Sequence, residues 1–109
     1  MIVDLGQENL VTGVLINLYI SNDSFVTVRV GKYRNITSKN SVCATIEYKG
    51  EYMINRWCKP HLFGRYVSLQ ATTTQFVLLE IYEIEVKSGQ YVIVKLIAGT
   101  RCGHGWRSW

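Results

Sequence analysis

The residues that could carry out chemistry are few and are spread along the chain. Glu83 and Glu85 stand two positions apart in a β-rich run, so their carboxylates share one face of a strand. Two like charges on one face are usually solvated. His61 lies far along the chain from Cys102 and His104, whereas a structural zinc ion takes four such ligands. These patterns predict a protein that is not an enzyme and holds no zinc.

The elements that position these residues are predicted to be β-strands. Apolar and alternating runs bounded by Gly, Asn, Asp or Ser are typical of short strands. They occur at 11–20, 25–30, 42–48, 52–58, 65–70, 76–86 and 91–97. Only Thr74 to Glu85 offers a helical alternative, and its β-branched content counts against a helix. Strands at this spacing favour an antiparallel sandwich or barrel.

Two of the three cysteines flank a segment of hairpin length. Cys43 and Cys58 stand on either side of the break at Lys49-Gly50, so strands on both sides would bring their Cβ atoms within reach. We therefore predict a Cys43–Cys58 disulfide, with Cys102 left free. Disulfides persist in oxidising compartments, which predicts an extracellular or secreted protein. No signal peptide is recognised, because Met1-Ile-Val-Asp4 reaches a carboxylate at once.

Length and charge limit the classes of partner. A chain of 109 residues forms one domain, and 48% hydrophobic residues argue against disorder. The net charge is +4, but the basic residues stand singly, which predicts no nucleic-acid partner. Neighbours such as Tyr33-Arg34 and Arg65-Tyr66 resemble stacking platforms for single strands, although packing explains them better. No apolar stretch approaches the roughly 20 residues of a membrane-spanning helix.

An ordered series of short motifs resembles the fucolectin, or F-type lectin, family of the galactose-binding-like and discoidin-type group. The series is Val3-Asp4-Leu5-Gly6-Gln7, Val11-Thr-Gly-Val14, Phe25 to Gly31, the Cys43/Cys58 pair with Pro60, Gly64-Arg65-Tyr66-Val67 and Glu83-Ile-Glu-Val86. The resemblance implies an antiparallel jelly-roll β-sandwich over residues 1–86, incomplete because the family's N-terminal part has no counterpart here. Residues 87–109 would then add an extra strand and a flexible tail.

The resemblance also implies carbohydrate binding of the fucose type, in a degenerate form. Family members hold fucose with a histidine and basic residues, and no basic residue lies between Asn17 and Phe25 in this chain. Asn17, Asn22 and Asp23 remain as weak sugar-binding candidates, because Asn and Asp are common at turns in any case. Of the family's calcium ligands only Glu83 and the Tyr82 carbonyl match, far fewer than the six to eight oxygens calcium takes. No cofactor is expected.

Three functions stay open on the sequence. The first is a degenerate lectin-like module with glycans or glycoproteins as partners. The second is an adhesive or structural protein-interaction sandwich, and the third is an inactive fragment. Missing strands would expose apolar edges, which predicts self-association. Asn22 and Asn35 begin N-glycosylation acceptor triplets that would matter in a secreted protein.

Overall fold

Six antiparallel β-strands make up the fold. The computed structural model describes residues 1–50, 53–72 and 78–97. The strands are β1 (Ile2–Ile20), β2 (Ser24–Gly31), β3 (Ser41–Tyr48), β4 (Met53–Thr72), β5 (Leu79–Ser88) and β6 (Tyr91–Ile97), and they form one sheet in the order β3-β2-β4-β1-β5-β6. The predicted all-β class is confirmed. No helix in the described ranges is long and apolar enough to cross a membrane.

The longest strands differ most from the expected pattern. The described part of the predicted strand 52–58 and the predicted strand 65–70 both belong to β4, which runs for 20 residues. β1 begins nine residues earlier than expected, at Ile2 rather than at position 11. The segment from 79 to 88 is a strand, so the helical alternative is wrong for its described part. The start of the predicted strand 76–86, the tail after 97 and Cys102 lie outside the described residues.

β1 and β4 each belong to two halves of the sheet. The first half of β4, Met53 to Trp57, pairs with Asn17 to Gly13 of β1, and its second half, Tyr66 to Thr72, pairs with β2. The β1–β4 register shifts between Asp4 and Asn9 and again between Val11 and Gly13. Such irregularities bend a strand and increase its twist. Pro60 lies in the interrupted stretch of β4, where its missing N–H removes no bond of the β1–β4 ladder.

The bend lets one sheet cover its own apolar face. Alternate residues of the inner face are fully buried in one cluster, including Val26, Val28 and Val30 of β2 and Ile84 and Val86 of β5. β2 and β5 are separated by two strands in the sheet, so a flat sheet would hold these side chains far apart. The nearly equal dimensions of 33 × 30 × 28 Å show instead that the sheet curls around them.

The predicted disulfide between Cys43 and Cys58 is confirmed, with the two Cα atoms 4.3 Å apart. Its setting differs from the expected hairpin. Within the described residues β3 forms its ladder with β2, and β2 lies between β3 and the second half of β4. The disulfide therefore joins β3 to β4 where no ladder of hydrogen bonds does so.

Candidate functional site

The structure brings two of the sequence-predicted site residues together. Asn17 lies within β1, and its register partners are Glu83 of β5 on one side and Met53 of β4 on the other. Directly opposed residues share one face of a sheet, so Asn17 and Glu83 lie side by side on the outer face. Asn22 and Asp23 are exposed in the short turn between β1 and β2. The turn covers only residues 21–23, because β1 continues to Ile20.

The surroundings of Glu83 do not suit calcium. Its Oε1 atom lies 3.6 Å from Nζ of Lys95, so the carboxylate is already paired with a cation. Among residues 1–50, 53–72 and 78–97, no group of three His, Cys, Asp or Glu side chains is arranged to hold a metal ion. Calcium takes six to eight oxygen ligands. The residues present do not fit that ion.

The same outer face carries an exposed tryptophan next to a glycine of the neighbouring strand. Trp57 of β4 is 55% exposed and is the register partner of Gly13 of β1. A Cβ atom at position 13 would lie 3.3 Å from Cε3 of Trp57 and 2.8 Å from the carbonyl oxygen of Arg56. Because Gly13 has no side chain, the Cε3 edge of the indole can approach its backbone closely. The result is a flat aromatic surface that faces solvent.

Polar side chains surround this indole on the neighbouring positions of the sheet. Leu15 lies between Asn55 of β4 and Glu85 of β5, one pleat along from Gly13. Lys87 flanks Gly13 on the side away from Trp57. We call this surface the Trp57 platform; its members are Trp57, Asn55, Leu15, Asn17, Glu83, Glu85 and Lys87. It combines a planar apolar surface with amide, carboxylate and ammonium groups that donate and accept hydrogen bonds.

The sequence did not identify Trp57 as a site residue. It indicated Asn17 as a sugar-binding candidate and Glu83 as a calcium ligand, the latter through the family resemblance. The alternation of Met53, Asn55 and Trp57 indicates that they share one face. Nothing local, however, indicates that Trp57 is opposite a glycine 44 positions earlier in the chain, since Gly13 and Trp57 meet only through the β1–β4 register.

A separate charged cluster joins the start of β1 to β4 and to the loop after β2. Arg65 donates from Nε to Oδ1 of Asp4 at 2.7 Å and from Nη2 to Oδ2 at 3.0 Å. The Gly6 N–H donates to the same carboxylate at 2.8 Å, and Nη1 of Arg34 lies 3.9 Å from it. The hydrogen bond from Arg65, then that from Gly6, lowers the pKa of Asp4 below its ordinary value of 3.8. Both guanidinium groups also approach the Tyr66 ring, at 5.3 and 5.9 Å from its centroid.

Replacing Asp4 with asparagine should lower the melting temperature by about 2–4 °C at neutral pH, because a carboxylate held by two hydrogen bonds from Arg65 is lost. A lowered pKa in the folded state stabilises the protein above pH 3.8, and this contribution disappears as the pH falls through the folded-state value. Thermal melts of both proteins across the acid range should therefore converge below pH 3.8.

The control for this comparison is Glu47→Gln. Glu47 pairs with Lys49 at 3.1 Å, but both side chains are more than half exposed, so this variant should melt close to the wild type. A difference between Asp4→Asn and wild type that persisted unchanged into acid would contradict the proposed role of the carboxylate.

Both glycosylation acceptors lie at the surface. Asn22 and Asn35 are exposed, and Asn35 belongs to the loop between β2 and β3. Ser24 of the first acceptor is buried, and its hydroxyl donates to the carbonyl oxygen of Asn22 at 3.1 Å. The use of either acceptor stays a prediction.

No protein-family model matches the chain, and neither a curated protein nor a solved structure matches it. Function is therefore inferred from the geometry of its surfaces.

Proposed function

We propose that the protein is a non-enzymatic glycan-binding module and that the Trp57 platform is its sugar-binding surface. The observation that carries this proposal is the exposed indole of Trp57, whose Cε3 edge lies beside Gly13, where no side chain covers the ring. A pyranose ring presents an apolar C–H face and a rim of hydroxyl groups. Recognition of such a ring needs a planar apolar surface with polar groups around it.

Each part of the platform has a role in this proposal. The indole of Trp57 stacks on the C–H face of the sugar. The amide of Asn55 donates to and accepts from ring hydroxyls, and the carboxylate of Glu85 accepts from them. Asn17 and Glu83 extend the polar surface by one further pleat and provide a place for a second sugar unit.

The proposal includes the finer architecture that the resemblance implies. The curled sheet would be a jelly-roll sandwich of the galactose-binding-like type. The sharing of β1 and β4 between the two halves supports this proposal, because a sheet that bends along two shared strands can place its halves face to face as in a sandwich. The disulfide supports a secreted protein with glycans or glycoproteins as partners.

A glycan array that includes fucosylated structures, read with and without calcium, identifies a ligand. For the best ligand, Trp57→Ala is expected to weaken binding at least about tenfold, which corresponds to roughly 1.4 kcal/mol. Phe25→Ala is the matched control, because Phe25 is an exposed aromatic residue on another strand, β2, with 53% of its surface accessible. Isothermal titration calorimetry measures both variants.

Two results would overturn this proposal. One is an array on which the wild-type protein retains no glycan. The other is an equal loss of affinity in Trp57→Ala and Phe25→Ala, which would show that the indole has no special part in binding.

A protein-interaction module is the second candidate, and the exposed apolar residues at the edges of the same face favour it. Met53 and Ile97 are 52% and 55% exposed and lie on β4 and β6, on either side of Asn17 and Glu83. Apolar residues exposed on one face promote association between proteins. Self-association in sedimentation velocity that is lost in Trp57→Ala, together with an empty glycan array, would favour this function over sugar binding.

A further inference from the structure

The loop of residues 32–40, between β2 and β3, is held in one conformation by Asn40. The Asn40 side chain is buried; its Nδ2 donates to the carbonyl oxygen of Tyr33 at 2.8 Å, and its Oδ1 accepts from the Tyr33 N–H at 3.0 Å. Arg29 donates from Nη1 to the carbonyl oxygen of Asn40 at 2.8 Å. A Cβ atom on Gly31 would overlap the Asn40 amide, so the glycine leaves the room this contact needs. The loop is therefore preorganised.

This fixed loop presents two ammonium groups around one aromatic ring. Nζ of Lys32 lies 5.3 Å, and Nζ of Lys39 lies 5.6 Å, from the centroid of the Tyr33 ring. Both distances are within the range of a cation–π interaction, which orients an ammonium group without neutralising its charge. Within the described part of the chain, neither lysine forms an ion pair with a carboxylate. Two positive charges thus stand close together without a counter-charge of their own.

The two lysines open onto a cleft of about 230 Å³. Its walls also include Glu8 of β1, Ser41 of β3 and Phe63 of β4, and Phe63 is 69% exposed. The cleft thus contains two cations, one carboxylate, the hydroxyl groups of Ser41 and Tyr33, and two aromatic rings. None of these residues belongs to the Trp57 platform.

We propose that this cleft binds an acidic saccharide, with a sulfate or carboxylate group between Lys32 and Lys39. Oxyanions form short, charge-assisted hydrogen bonds with ammonium groups. Glu8 accepts hydrogen bonds from sugar hydroxyls, Ser41 donates and accepts them, and the ring of Phe63 contacts the C–H face of the sugar. The small volume suits one sugar unit with its charged substituent rather than an extended chain.

The single carboxylate in the cleft distinguishes this ligand from a polynucleotide. A single-stranded nucleic acid needs a continuous basic groove that follows successive phosphates. Glu8 interrupts any such groove, since it would repel a second phosphate placed beside the first. A saccharide with one acidic group and several hydroxyls uses both the lysines and Glu8.

The test is calorimetric titration with a sulfated disaccharide, using its desulfated counterpart and a single-stranded oligonucleotide as further probes. The protein is produced without glycosylation, because Asn35 lies in the loop that forms the cleft. We expect Lys32→Gln/Lys39→Gln to weaken binding of the sulfated disaccharide by about tenfold or more. The control Lys49→Gln/Lys59→Gln removes the same charge from exposed lysines outside the cleft and should change affinity by less than about twofold.

Trp57→Ala is expected to leave the affinity for the sulfated disaccharide unchanged, so failure of this inference can be told apart from failure of the platform as a sugar site. The inference is overturned if the desulfated disaccharide binds equally well or if the control double variant loses as much affinity. It is also overturned if the oligonucleotide binds as tightly through the same two lysines. If only Trp57→Ala lost affinity for the sulfated disaccharide, the binding site would be the Trp57 platform. The proposal that the cleft binds this ligand would then also be overturned.

Discussion

Replacing Cys43 and Cys58 together with alanine is expected to lower the free energy of unfolding by about 3 kcal/mol. The bond links residues with a sequence separation of 15. On the chain-entropy model, closing a loop of this size lowers the conformational entropy of the unfolded chain and thereby destabilises it by about 3 kcal/mol. The position of the bond adds to its importance. It joins β3 to β4, and within the described residues no ladder of hydrogen bonds connects these two strands.

Equilibrium unfolding in urea measures this effect for the wild type and the double variant. Alanine is chosen because both cysteines are buried, at 5% and 1% exposure, and a buried hydroxyl would add a cost of its own. A reducing agent should destabilise the wild type and leave the double variant unchanged. Equal urea midpoints for the two proteins would show that the crosslink contributes nothing to stability.

Gly64→Ala is expected to destabilise the fold by about 1–3 kcal/mol and to weaken binding in the acidic-saccharide cleft. A Cβ atom at this position would lie 2.5 Å from the nitrogen and 2.7 Å from the Cα of Gly31. Both are backbone atoms that no side-chain rotation can move away, so the two strands must separate. Gly31 in turn contacts the Asn40 side chain that holds Tyr33, and the displacement therefore reaches the two lysines.

Urea unfolding and calorimetric titration with the sulfated disaccharide measure the two consequences of Gly64→Ala. Gln70→Ala is the matched control, because Gln70 is exposed on the same strand and should affect neither property. An unchanged urea midpoint in Gly64→Ala would contradict the close approach of the two glycines. Lower stability with full binding would show that the cleft does not depend on the position of Gly31.

The class of the fold and the alternation of buried and exposed side chains along its strands could be predicted from the sequence. The β-branched run from Phe25 to Val30 predicts a strand with Val26, Val28 and Val30 on one face, and these three residues are buried. The Cys43–Cys58 disulfide was also predictable, because the two cysteines flank a segment of hairpin length, although the strands that carry them are not ladder partners. Such features depend on residues close together in the sequence.

Contacts between distant residues could not be predicted in this way and became known from the three-dimensional structure. Gly13 meets Trp57 and Asn17 meets Glu83 through strand registers that join remote parts of the chain, and the backbones of Gly31 and Gly64 come close together. A pattern of alternating residues shows which side chains share a face, but it contains no information on which strand lies alongside or at what offset. The order and register of the strands depend on burying the apolar residues of all the strands together in one core. The Trp57 platform consists of such long-range neighbours. In the cleft, Lys32, Tyr33 and Lys39 belong to one loop, and only the fold brings Glu8 and Phe63 to them.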